Sequence, residues 1–185
     1  MWPMPRHDPA GTGATDRPGP KSKPEVLWVT EAPEGVDPQR PPILIGDTLI
    51  ASTDASVLAL DCETGAQRYG RSVTCDTPPV FARADAYRGG VLAMASEEGF
   101  VGLAVSGGFA LGPLTVGHER WQTTPAGEWG SIAVLANSVA ADGTIYATIP
   151  NRNRIVAIDA NSGRIEWEFD VGDEDRRELN RPAVR

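Results

Sequence analysis

The most constraining feature of this chain is that it repeats itself. Residues 47–69 read DTLIASTDASVLALDCETGAQRY, and residues 142–167 read DGTIYATIPNRNRIVAIDANSGRIEW. Leu49, Ile50 and Ala51 fall on Ile145, Tyr146 and Ala147. After a loop two residues longer in the second copy, Leu60, Asp61, Gly65 and Tyr69 fall on Ile158, Asp159, Gly163 and Trp167. Each copy reads as strand, loop, strand, a D-x-x-T/S-G turn, and a strand ending in an aromatic residue. A fainter copy, GGVLAMASEEGFVGLAVSGG at 89–108, sets Leu103 on Leu60. It has Ala104 where the turn aspartate stands and lacks the T-G pair. Short apolar segments introduce the three units: Pro42-Ile43-Leu44, Pro79-Val80-Phe81 and Ser138-Val139-Ala140. A fourth such segment, Pro182-Ala183-Val184, has no unit after it.

Leu60, Leu103 and Ile158 are 43 and 55 residues apart. Periods of this size with four short strands per unit predict an all-β chain, a partial β-propeller of four-stranded antiparallel blades. VLAMAS and TIYAT are apolar on both faces, as strands must be when their sheet is covered on both sides. Sheets are expected over 42–72, 79–124 and 138–171, giving three blades plus the first strand of a fourth. Residues 1–25 form a Pro/Gly-rich leader, and residues 26–185 an incomplete propeller. Val26-Leu27-Trp28-Val29-Thr30 reads as a short strand, the outer strand of a last blade. Three blades cannot close a ring, so the expectation is a fragment of a longer propeller or one completed by association.

The recurring turns have an architectural reason. Asp61 and Asp159 can accept hydrogen bonds from backbone N–H groups two residues on, forming an Asx-turn. Gly65 and Gly163 supply the positive φ that reverses the chain. Tyr69 and Trp167 offer large apolar bodies for the gap between adjacent blades.

The units DASVLALDCETGAQRY and RNRIVAIDANSGRIEW resemble pyrroloquinoline-quinone-like propeller repeats, with the pattern apolar-ALD-x-x-TG-x-x-x-W. The leader, with Trp2-Pro3-Met4, Asp8 and Thr12-Gly13, resembles the opening of haloarchaeal proteins built from such repeats. The resemblance is strong at 42–70 and 138–169 and poor at 100–130. It implies the fold, and says little of function, because one fold hosts many functions. Quinone-dependent dehydrogenases of this repeat family often carry a disulfide between adjacent cysteines beside the cofactor. This chain has only Cys62 and Cys75, thirteen residues apart, which are expected to be free thiols.

Composition narrows the function classes. The formal charge is -8, against the basic surface that general nucleic-acid binding needs. Of 17 basic residues only Lys21 and Lys23 are lysine. An acidic, Arg-rich surface suits a salt-loving host, and equally reflects GC-rich coding. No apolar run is long enough for a membrane-spanning helix. The N-terminus has no apolar segment of a secretory signal, so the chain as written is expected in the cytoplasm, or at the cell surface if its true N-terminus is missing.

His7 and His118 lack partners at metal-ligand spacing, and no nucleophile or phosphate-binding motif appears. Asp173-Glu174-Asp175 and Glu97-Glu98 read as solvated acidic loops, without the spacing of a calcium loop. Trp121 and Trp129 read as packing residues, with stacking on a planar ligand as the other reading. No catalytic residue, metal ligand or cofactor is assigned. The leading expectation is a non-catalytic propeller-repeat scaffold that binds a protein partner, missing blades or a ligand, and can self-associate. The alternative is a piece of a quinone-dependent oxidoreductase, with pyrroloquinoline quinone as its cofactor.

Overall fold

Among the described residues, twelve strands form three separate four-stranded antiparallel sheets, each built from four consecutive strands. The computed structural model describes residues 3–16, 18–19, 21–31, 40–83, 89–96, 99–106, 115–124, 138–149 and 153–171. Blade 1 holds β1 (Ile43–Ile45), β2 (Thr48–Ser52), β3 (Ser56–Asp61) and β4 (Gln67–Ser72). Blade 2 holds β5 (Val80–Arg83), β6 (Gly90–Ser96), β7 (Gly99–Ser106) and β8 (Thr115–Thr123). Blade 3 holds β9 (Ser138–Ala141), β10 (Thr144–Ile149), β11 (Arg154–Asp159) and β12 (Ile165–Asp170). The chain is all-β, a partial β-propeller, and the three sheets fall where the repeat predicts them. The fourth apolar segment, 182–184, lies outside the described residues.

The blades stack face to face. One core cluster joins Ile43, Ile50 and Ala59 of blade 1 to Phe81, Leu92 and Leu103 of blade 2. A second joins Val80, Ala93 and Trp121 of blade 2 to Ile145, Val156 and Ile158 of blade 3. Blade 2 therefore sends alternate residues in opposite directions, Val80 one way and Phe81 the other, as the two-residue period of a strand requires. Every residue of β6 is buried, because that strand is covered on both faces. No residue of the outer strands β4 and β12 is fully buried, and β12 is exposed at every position after Ile165.

Each blade shifts register by a bulge between its third and fourth strands, at Ala59/Leu60, Gly102/Leu103 and Ala157/Ile158. The bulges bring Tyr69, Trp121 and Trp167 opposite Ala59, Gly102 and Ala157. Those three aromatics are thus structurally equivalent, one per blade.

One segment departs from what the sequence predicts. Val26–Thr30 is not a strand, and its Val26, Leu27 and Val29 are about four-fifths exposed. β-structure needs a ladder partner, and the segment's bonds to blade 1 run instead from the Trp28 and Thr30 side chains. The leader carries turns of its own. His7 N–H donates to Met4 O at 3.0 Å and Gly13 N–H to Arg6 O at 2.9 Å, folding residues 4–13 into tight turns. Phe81 N–H donates to Pro3 O at 2.8 Å, and Met4 is buried in the cluster between blades 2 and 3.

Candidate functional site

The two complete D-x-x-T/S-G turns are built alike. Asp61 Oδ1 accepts from Glu63 N–H at 3.0 Å, Thr64 N–H at 2.8 Å and Thr64 Oγ1 at 3.0 Å. Asp159 Oδ1 accepts from Ser162 N–H at 2.8 Å and Ser162 Oγ at 2.6 Å. Gly65 and Gly163 both sit at φ 71°. The backbone bond from Thr64, then Arg68, holds the Asp61 carboxyl down at about 2. Asp159 is lowered first by the Ser162 hydroxyl.

Arg68 on β4 adds a clamp to the first turn. Its two terminal nitrogens grip Asp47 at 2.8 and 2.9 Å, and one also binds Asp61. This bidentate pairing is the main reason Asp47 is held at about 2.

The turns are seats for tryptophan. Trp121 on β8 donates its Nε1 proton to Ala160 O at 2.9 Å, and Thr123 donates its hydroxyl proton to Gly163 O. A Cβ on Gly163 would lie 2.5 Å from the indole ring, so only glycine permits this approach. Trp28 and Thr30 repeat the arrangement on blade 1. Trp28 Nε1 donates to Cys62 O at 3.1 Å, Thr30 Oγ1 donates to Gly65 O at 2.9 Å, and a Cβ on Gly65 would meet the ring at 2.5 Å. The segment without a strand thus docks as the outer strand of blade 2 does. The sequence carries the signal in W-V-T at 28–30 and W-Q-T at 121–123, a match visible only when the two segments are set side by side.

The remaining equivalents differ. Tyr69 is half-buried against the cluster between blades 1 and 2. Trp167 is 46% exposed and Phe169, two residues on, 59% exposed. The register places both on one face of blade 3 with Tyr146 and Ile155, and the Trp167 ring meets Tyr146 at 6.0 Å. Trp121 of blade 2 is buried under blade 3; the matching face of blade 3 has no such cover among the described residues.

Other sequence-singled residues carry less. Cys62 and Cys75 are both free thiols, Cys75 buried. Trp129, Glu97-Glu98 and 173–175 lie outside the described residues. Among the described residues no cluster of three or more His, Cys, Asp or Glu side chains is placed to hold a metal ion. A cleft of about 740 Å³ opens between the leader and the inner strands of blades 2 and 3, near Met4, Asp8, Phe81 and Asp142. Its Asp8 carboxylate is taken up by Thr12, through the backbone N–H at 3.1 Å and the hydroxyl.

Residues 109–184 match the family model described as outer membrane protein assembly factor BamB. No curated protein matches the chain. Similar solved structures include BamB from Moraxella catarrhalis, at 21% identity and TM-score 0.48, aligned over 75% of this chain and 36% of that one. A europium-containing methanol dehydrogenase aligns at 19% identity and TM-score 0.46, over 73% of this chain and 25% of its own. The quinohemoprotein alcohol dehydrogenase ADHIIG from Pseudomonas putida HK5 aligns at 14% identity and TM-score 0.40, over 74% and 28%. The chain therefore spans between a quarter and about a third of the length of these structures.

Proposed function

We propose that this chain is a non-catalytic propeller-repeat scaffold whose blade ends bind protein. One observation carries the reading: Trp28 and Thr30, from a segment with no sheet of its own, fill on blade 1 the seat that Trp121 and Thr123 fill on blade 3. Residues 26–30 then stand where the outer strand of a further blade belongs. At the other end, Trp167 and Phe169 present the aromatic face that such a blade would cover. The partner that fits is a propeller unit offering a D-x-x-T/S-G turn: a carbonyl for the indole proton and a glycine beneath the ring. In this reading Asp61, Gly65, Asp159 and Gly163 are architectural, and Tyr69 and Trp167 pack between blades.

The test is reconstitution with pyrroloquinoline quinone and calcium, followed by an alcohol and sugar oxidation assay with an artificial electron acceptor. The scaffold reading predicts neither saturable cofactor binding nor turnover. Stoichiometric cofactor with turnover would replace it with a quinone-dependent oxidoreductase.

A further inference from the structure

Between blades 1 and 2 the described structure departs from the docking seen at the junctions on either side. The position two residues after the docking aromatic is Thr30 in the strap formed by residues 26–30 and Thr123 in blade 2, each donating to a glycine carbonyl. In blade 1 that position is Arg71, two residues after Tyr69. The turn it would face lacks its aspartate, Ala104 standing there instead. Arg71 pairs with Val57 in the ladder, which puts it on the face of blade 1 that meets blade 2. Its Nε atom is buried with no hydrogen-bond partner. A buried guanidinium donor left unpaired is costly, and a group that breaks a repeated rule in this way marks a place for function.

Arg71 lines a cleft of about 280 Å³ between the two blades, with Ser72, Thr74 and Ser96 around it. Val101 and Leu103 supply apolar wall, and Glu119 of β8 stands on the blade 2 side. The volume is just below the usual range of ligand pockets, which begins at about 300 Å³, and suits only a small molecule. One wall carries a fixed positive charge that prefers a planar carboxylate. The other carries a carboxylate, which disfavours a purely anionic ligand and suits an ammonium.

We propose that this inter-blade cleft binds a small zwitterion of the amino-acid class, its carboxylate on Arg71 and its ammonium toward Glu119. The proposal does not depend on what the blade ends bind.

Isothermal titration calorimetry with L-alanine and L-leucine tests it, with acetate and butylamine as single-charge controls. Saturable binding of an amino acid, weakened about tenfold or more in both Arg71→Gln and Glu119→Gln and weaker for either control, is the expected result. Glu119 is exposed, so Glu119→Gln keeps the test alive if Arg71→Gln fails to fold; circular dichroism reports which variants are native. No heat with any amino acid at millimolar concentration overturns the proposal. So does binding that Glu119→Gln leaves unchanged, or acetate binding as tightly as the amino acids.

Discussion

The indole of Trp121 in one blade donates its proton to the carbonyl of Ala160 in the next, 2.9 Å away, while its ring lies over Gly163. The bond crosses between two sheets that share no ladder, so it fixes their relative position where backbone pairing cannot. The same device, with Trp28 and Cys62, fastens the strap to blade 1.

Gly163→Ala should destabilise the chain by more than about 2 kcal/mol, since a positive φ and a ring collision add. Gly46→Ala separates the two contributions. Gly46 also has positive φ, at 62°, but nothing lies within 4 Å of its added Cβ. Its cost should be only about 1 kcal/mol of backbone strain. Urea melts of both variants measure the difference, and equal losses would show that the seat under Trp121 is not tight.

Trp121→Phe keeps most of the ring and removes the donor, leaving the Ala160 carbonyl to find water. A loss of about 1 kcal/mol is expected, against about 3–5 kcal/mol for Trp121→Ala. Trp28→Phe should cost less than Trp121→Phe, because the strap brings no ladder with it.

Much of this fold is legible in the sequence because a propeller repeat writes its strands, turns and bulges into each unit. The sheets over 43–72, 80–123 and 138–170 needed only the alignment of Leu60 with Leu103 and Ile158. The docking was less visible. It pairs a tryptophan in one unit with a glycine about 40 residues further on, a relation between units and not within one. Val26–Thr30 looks like a strand by composition, yet strand formation depends on a partner that no local pattern reveals. Arg68 and Asp47 lie 21 residues apart and meet only through the register of β2, β3 and β4.

Acid should loosen blade 1 through Asp47 and Asp61. Both carboxyls sit near 2, below the ordinary 3.8, so their contribution is present above about pH 4 and fades as pH falls toward 2. Arg68→Gln should raise Asp47 further than Asp61, whose largest support is the Thr64 backbone. Carboxyl NMR titration of the variant distinguishes the two, and equal upward shifts would contradict this division.

Thiol reactivity should separate the cysteines. Burial pushes the Cys75 thiol up to about 11, leaving it protonated and shielded at neutral pH. Cys62 is only half-buried. Ellman's reagent should therefore modify one thiol quickly in the native protein and two in urea. Rapid reaction of both in the native state would show that the core beneath Thr53 and Cys75 is open.

The most direct test of the blade-end account is light scattering in molar salt. An aromatic face carrying Tyr146, Ile155, Trp167 and Phe169 is the kind of patch that drives association when uncovered. The chain, 19.7 kDa as a monomer, should self-associate, and the double variant Trp167→Ser with Phe169→Ser should run as a monomer with its β-sheet circular dichroism intact. A stable, monodisperse wild-type monomer with a cooperative thermal transition would contradict the account.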